Sequence, residues 1–548
     1  MDHPMIQMHG TLQAPPPPAA QPLRLTKTKL VAARQCPRRL WLMLHRPVIE
    51  SLPAGRERVI AEGHRVGALA RRLAEQQTGL AGELIDVQDG WEVGLARCRE
   101  RLAGDGPVLL FEAPFAVDAG PDGRTGLAVI ADIVHRDQQG RLHLIEVKSS
   151  TRLAGKPYAE DAAVQAWAMA ATGQAPQQVV IRLIDRSFAY AGDGDYSGLL
   201  RDEDVSDTVA ALQPQVAQWL ADGAAIAEGG EPAIRPGAHC LRPYPCGFRG
   251  HCDAADAALH GPPPTQPVAW LTGGRNLGKL TAGERAQITE AGWTDLGQLP
   301  PDFPADGRAR ATLAALRSGR PWVSPGLREA LRALPWPRWH LDFETIGLAI
   351  PRWAGAHPFD ALPFQWSCHV EQADGRVEHH AFLDLSGDDP RPACARALAG
   401  LLAPLAAGQA GCVLAWNADF ERQQLSALAT LAAQGQSTAA PLRAAIQRLH
   451  DLLPIVRQHW YHPAQQASYS LKAVLPAVAP ELDHADLDEV QHGEAAQAAW
   501  LEAVDEATPP ARREQLRQRL LAYCERDTWA MVVLSRRLAE WPTDEEVQ

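Results

Sequence analysis

An apolar run of strand character, Trp339 to Ile346, carries two carboxylates at alternate positions, Asp342 and Glu344. Strand side chains alternate between faces, so these two project together while Leu341, Phe343 and Thr345 project from the other side. Two carboxylates crowded on one face repel unless a cation lies between them, and hard divalent ions such as Mg²⁺ favour that oxygen environment. Near the other end of the chain Tyr523 and Asp527 stand four apart in a helical pattern of Leu520, Leu521, Trp529, Met531 and Val532. That spacing stacks them on one helix face. An α/β fold is expected. A strand with paired acids and a helix offering a tyrosine and an aspartate suit two-metal phosphodiester hydrolysis.

At 548 residues the chain is too long for one core, and three or four structural units are expected. No apolar run approaches the length of a bilayer span, so no membrane partner and a cytoplasmic location are expected. Residues 1–22, with the proline run Pro15 to Pro18, lack the order of a secretory signal and read as a disordered tail. The net charge of -12 argues against a polyanionic partner. Two features offset it: metal-site carboxylates would be neutralised by their cations, and arginines cluster at Arg34 to Arg39 and Arg56 to Arg72. Lysine is scarce, six among 53 basic residues, so a lysine within a catalytic pattern carries extra weight.

From Gly126 to Lys148 the pattern is strand, turn, strand, with Asp137-Gln-Gln-Gly140 as the turn. A turn centred near Gln139 pairs residues equidistant from it, which sets Asp132 opposite Glu146 on one face, with Lys148 two residues further along. Two carboxylates hold a divalent ion, and an ammonium beside them orients or helps deprotonate water. The bland alternative is an amphipathic hairpin with a solvated Glu–Lys pair. Asp followed by Glu-x-Lys resembles the PD-(D/E)XK nuclease superfamily. Gln165, on the helix that follows, matches the glutamine of its RecB-type branch. Met169 stands where that branch has a tyrosine. For the upstream histidine the register gives Gly67, with His64 nearby.

The nine cysteines include Cys36, followed by Pro37, and the evenly spaced Cys240, Cys246 and Cys252. Close-spaced cysteines in a cytosolic chain read as metal ligands. Four thiolates suit a [4Fe–4S] cluster or tetrahedral zinc. One cysteine before the hairpin and three after it resembles the iron–sulfur nucleases of the CRISPR-associated and AddB types, which implies a structural [4Fe–4S] staple. Zinc is the alternative, with His239 or His251 as substitute ligands.

From Trp339 onward the layout resembles the ribonuclease H-like exonucleases with four acidic ligands, the DEDD group. Asp342 and Glu344 supply the first motif. In Trp416-Asn417-Ala418-Asp419-Phe420-Glu421 the glutamate takes the place of the second motif's aspartate, with Asp419 as a nearby substitute. Tyr523-x-x-x-Asp527 is the tyrosine form of the third motif; Ala522 stands where the histidine form would need its histidine. Lys472 and Asp451 are candidate substrate or supporting contacts. Trp336, Trp339, Trp366, Trp416 and Trp460 are expected mostly in the core, with one or two free to stack on bases. Pro363-Phe364-Gln365-Trp366-Ser367, Asp389-Pro390-Arg391 and the stretch Ser468 to Pro476 resemble an uncharacterised bacterial family. It fuses the two nuclease types across most of residues 23–541.

The expected organisation is a tail at 1–22, a PD-(D/E)XK restriction-endonuclease-like iron–sulfur domain at 23–260 and a helical connector at 261–335 with a faint helix-hairpin-helix likeness. A ribonuclease H-like domain at 336–541 and a tail at 542–548 complete it. The resemblance implies Asp132, Glu146, Lys148 and Gln165 as one active site. Asp342, Glu344, Glu421, Tyr523 and Asp527 are the other, with Mg²⁺ or Mn²⁺ on the carboxylates. It further implies single-stranded DNA or DNA ends as substrate, 3′→5′ polarity in the second domain, and a helicase or other repair or defence partner. Ribonuclease activity, and a non-catalytic scaffold that binds DNA ends, are the rivals.

Overall fold

The computed structural model describes residues 23–51, 56–88, 90–118, 125–272, 277, 280–303, 307–434, 439–482 and 493–542. The expected tail at 1–22 and nearly all of that at 542–548 lie outside them. The protein is mixed α/β with mixed sheets, and its chain divides into two units. One holds the described residues before 54 with 63–185 and 197–256; the other holds 56–62, 186–196 and the described residues from 257 onward. No helix among the described residues is long and apolar enough to cross a membrane.

The first unit is built on a seven-stranded sheet: β1 (Arg24–Thr26), β2 (Glu83–Leu84), β3 (Val108–Val117), β4 (Gly126–Arg136), β5 (Leu142–Lys148), β6 (Gln178–Ile184) and β7 (Leu200–Asp204). The order is β2-β3-β4-β5-β6-β7, with β1 paired parallel to β4. The β4–β5 hairpin has the register set by a turn at Gln139, with Ile133 opposite Ile145 and His135 opposite His143. Its turn is locally specified. The Asp137 carboxylate accepts the N–H groups of Gln139 and Arg141, and Gly140 takes a φ of 77°. Helix Tyr158–Ala171 then carries the chain to β6, parallel to β5. That helix buries Ala162, Val164 and Met169 against Leu127, Val129 and Leu144 of the sheet. The opposite face packs Phe111, Ile133 and Ile145 against Ala70 and Ala74 of helix Arg56–Thr78.

The second unit contains a short antiparallel pair, β8 (Trp322–Val323) with β14 (Trp460–Tyr461), and a five-stranded sheet. Its strands are β9 (Arg338–Ile346), β10 (Leu362–Glu371), β11 (Val377–Leu383), β12 (Cys412–Ala415) and β13 (Leu449–Asp451), in the order β11-β10-β9-β12-β13. β10 runs antiparallel to both neighbours, while β12 is parallel to β9 and β13. Trp339, Leu341 and Phe343 of β9 are buried against helices Arg391–Ala406 and Asp419–Gln434. Each such side chain stabilises the fold by roughly 1.5–3 kcal/mol. A one-residue slip would push Asp342 and Glu344 into that apolar layer, so the register is firmly set. The polar face of β9 receives the last helix, Pro510–Glu540.

The described residues between 266 and 335 are more than half helical, and Leu271, Ile288, Leu313 and Leu331 share one core with Trp460, Leu475 and Met531. Between 281 and 299 there is one helix, Ala282–Ala291, opened by a Thr281/Glu284 capping box and stopped by left-handed Gly292, then a single 3-10 turn.

Candidate active sites

The hairpin and the helix after it converge on the first cluster. Glu146 is 1% exposed, and both its carboxylate oxygens are taken. Oε1 accepts from Lys148 Nζ and Lys27 Nζ, each at 2.7 Å, and Oε2 accepts from Gln165 Nε2 at 2.6 Å. Lys148 is held further by Asp161 Oδ2 at 2.6 Å. Asp161 and Gln165 are four apart, so one face of helix Tyr158–Ala171 presents both to the strand ends. Asp132 Oδ2 accepts the Val147 N–H at 2.7 Å. Burial, then the Glu146 charge, push the Asp132 carboxyl up to about 7, against Lys27 and Lys148. Burial alone would also raise Glu146, but Lys148 and Lys27 hold it well below the usual carboxylate range. All four expected residues meet here.

Three members of the cluster were not foreseen: Lys27, Asp161 and Glu112. Glu112 lines the same cavity as Asp132, His64 and Gly67. It is the single charged residue of β3 and takes a φ of 51°, in the left-handed region that costs a non-glycine residue strain. Its pKa is raised by burial, with Arg71 opposing and Glu146 adding. The buried Gln165 Oε1 has no hydrogen-bond partner among the described residues. That orphaned acceptor, with the mutually repelling Asp132 and Glu146, fits a divalent cation. An ion would have to displace one ammonium from Glu146, and Lys27 has fewer ties than Lys148, which also binds Asp161 and lies 5.1 Å from the Tyr158 ring centre.

The second cluster lies where the last helix crosses β9. Asp342 is pushed well above the ordinary carboxylate pKa by burial and then by Asp527, Glu344 and Glu421. Glu344 rises to about 8 through burial and Asp527, with Lys472 opposing. Glu421 also rises to about 8 through burial, and its buried Oε2 has no hydrogen-bond partner among the described residues. Of the two acids in its segment, Glu421 is 3% exposed while Asp419 lies at the surface. The local chain explains this. Asn417 adopts a left-handed φ of 69°, its N–H bonds Asp451 Oδ1 at 2.9 Å, and the helix starts at Asp419, which turns Glu421 inward. Asp451 also caps helix Leu452–His459, so it is a structural residue here.

Tyr523 is 4% exposed, and its hydroxyl accepts from Lys472 Nζ at 3.2 Å. The same ammonium lies 4.9 Å from the Tyr523 ring centre. Burial, then Asp527, Glu344 and Asp342, raise the tyrosine pKa, so the hydroxyl keeps its proton. Cys524 was not foreseen: its Sγ lies 3.6 Å from Asp342 Oδ2. Asp342, Glu344 and Cys524 offer ligand atoms within 4.8 Å of one another. Acids raised by burial, with Asp527 adding at Asp342 and Glu344, and a buried Glu421 oxygen without a partner among the described residues fit hard divalent cations.

The four expected cysteines line one small cavity together with Arg38, Arg39 and His239. Cys36 sits between two helices, Lys27–Gln35 and Pro37–His45. Cys240 ends a 3-10 turn, the Cys246 N–H bonds Cys240 O at 2.8 Å, and Cys252 lies in helix Arg249–His260. Burial pushes the Cys252 thiol up to about 11, with Arg38 opposing and the other three cysteines adding. Cys240 Sγ is 3.6 Å from His239 Nε2, whereas His251 faces Glu231 at 3.8 Å. Among the described residues, the triplets of donor atoms within 4.8 Å of one another contain no three of these thiols. The sulfur–sulfur edge of a tetrahedral zinc–thiolate site is about 3.8 Å. The tryptophans are core residues at Trp339, Trp366 and Trp460, while Trp416 is part-buried and bonds Tyr469 O.

A family model described as a domain of unknown function, DUF2779, matches residues 339–470. It spans Asp342, Glu344 and Glu421 but stops short of Tyr523 and Asp527. No curated protein matches the chain. A solved chain described as "Crystal structure of SSO0001" is similar at 14% identity, over 42% of this chain and 86% of its own, with a TM-score of 0.24. A likeness of that size carries no argument.

Proposed function

We propose that this protein is a metal-dependent nuclease with two active sites, one in a PD-(D/E)XK-type unit with an iron–sulfur staple and one in a ribonuclease H-like exonuclease unit. The observation that carries the reading is the meeting of Asp342, Glu344, Glu421 and Asp527, from β9 and two helices, beside the Lys472–Tyr523 pair. Divalent ions held by those four carboxylates would supply a water of lowered pKa and neutralise charge on the leaving oxygen. Tyr523, kept protonated and held by Lys472, orients that water through its hydroxyl. In the first unit Asp132 and Glu146 would hold a cation and Lys148 would orient the nucleophile, while Gln165 fixes the Glu146 carboxylate. The four converging cysteines support the staple, with Cys36 tying the start of that unit to its end. Single-stranded DNA or DNA ends are the proposed substrate.

The test compares matched end-labelled single-stranded DNA and RNA with Mg²⁺ or Mn²⁺, using the intact protein, Asp132→Ala, Asp342→Ala and the double variant. Each single variant should keep one activity and the double variant none, with DNA cut faster than RNA. Faster cutting of RNA would make the protein a ribonuclease. Binding of DNA ends without cleavage would make it a scaffold.

A further inference from the structure

A second cluster on the same sheet face lies outside the acidic site. His369 of β10 is the register partner of His379 of β11, and their rings stack at 4.5 Å between centres. Glu525 of the last helix approaches from above, with Oε1 3.5 Å from His379 Nδ1. Donor atoms of the three residues lie within 4.8 Å of one another.

One nitrogen of each imidazole is held by a hydroxyl. His369 Nδ1 bonds Thr528 Oγ1 at 2.8 Å, His379 Nε2 bonds Ser367 Oγ at 2.9 Å, and the two hydroxyls bond each other at 2.8 Å. His369 Nε2 and His379 Nδ1 lie outside this relay, and His379 Nδ1 is the nitrogen that faces Glu525. Metal-binding histidines are oriented in this manner, one nitrogen on the ion and the other on a supporting hydrogen bond. Burial and then His379 push the His369 pKa down to about 3, so its ring is a neutral donor at any physiological pH.

We propose that His369, His379 and Glu525 form a binding site for a single divalent transition-metal ion of the zinc class. Two imidazoles and one carboxylate select a borderline-soft ion over Mg²⁺. Three protein donors leave a fourth position open, on the side where Glu525 is 50% and His379 28% exposed. A bound ion would tie edge strand β11 to the helix that carries Tyr523 and Asp527. The proposal does not depend on nuclease activity.

The experiment is equilibrium dialysis of the full chain against micromolar Zn²⁺ in millimolar Mg²⁺, which occupies the oxygen-rich sites. It is repeated with Co²⁺ to read ligand type. Wild type should hold one zinc per chain more than His379→Ala and Glu525→Gln, both changed at partly exposed positions. The cobalt form should lose visible bands without thiolate charge transfer in those variants. Ser367→Ala, which keeps all three donors, should weaken binding by about 10–100-fold. Equal zinc content and unchanged cobalt spectra in His379→Ala, at unchanged circular dichroism, would overturn the site.

Discussion

Glu421→Gln should stabilise the protein when metal is withheld. The wild-type side chain is 3% exposed, and burial raises its folded pKa to about 8 from an ordinary value of 4.5. The folded state therefore keeps a proton that the unfolded chain releases. Stability is full below about pH 4.5, falls as pH rises to about 8, and is flat beyond. Each pH unit in that window costs about 1.36 kcal/mol, so at pH 7 the cost is about 3 kcal/mol. Glutamine is neutral at every pH and escapes it. At roughly 2 °C per kcal/mol for a unit of this size, the variant should melt ~6 °C above wild type at pH 7 in EDTA. At pH 5 the two should differ by less than about 1 kcal/mol. Saturating Mg²⁺ should stabilise wild type more than the variant and shrink the gap, because the ion replaces the proton as the counter-charge. Differential scanning calorimetry at pH 5, 7 and 9, with and without Mg²⁺, measures all of this. A gap independent of pH, or equal stabilisation of both proteins by Mg²⁺, would refute the account of Glu421 as an uncompensated buried acid.

Tyr523→Phe, in an Asp132→Ala background, should slow exonucleolytic turnover by on the order of 10²-fold while leaving metal affinity unchanged, as measured by single-turnover kinetics and metal titration. Unchanged turnover would reduce the tyrosine to a packing residue. Cys246→Ala should abolish the brown colour and broad visible absorbance expected of a thiolate-ligated iron cluster. A colourless wild type prepared without oxygen and carrying stoichiometric zinc would favour the zinc alternative.

What could be read from the sequence was what is local. The β4–β5 hairpin fixes Asp132, Glu146 and Lys148 within one turn and two strands, while Gln165 was legible only through the family resemblance. The i,i+4 rule, applied back from Gln165 to Asp161, would have found the second partner of Lys148. Lys27 was beyond reach: it meets Glu146 across 119 residues, through a three-residue strand laid beside β4. Glu112 had one signal, a lone charge in an otherwise apolar β3 run. In the second unit, alternation along β9 sorted Asp342 and Glu344 from Leu341 and Phe343. No such period marks His369 and His379, which become neighbours only once β10 and β11 pair. Cys524 gave no sign, since a cysteine beside a motif tyrosine is equally at home in a helix core.

The two acidic clusters differ in how their charge is met, and this sets their order of metal loading. In the first, Asp132, Glu146, Glu112 and Asp161 face Lys27, Lys148 and Arg71, a near balance. In the second, the Asp342 and Glu344 pKa values are raised by burial and by Asp527, while Lys472 opposes the rise at Glu344 and donates to Tyr523. A divalent ion entering the second site replaces protons on carboxyls that burial has raised to about 8, whereas one entering the first must expel an ammonium from Glu146. The second site should therefore reach half-maximal activity at lower Mn²⁺ than the first, when Asp132→Ala and Asp342→Ala proteins are titrated separately at pH 8. Lys27→Ala should lower the metal requirement of the first site alone, because it removes the competitor while Lys148 stays anchored by Asp161. If the first site loads at lower metal, or if Lys27→Ala raises its requirement, then Lys27 is a partner in holding the substrate rather than a stand-in for the cation.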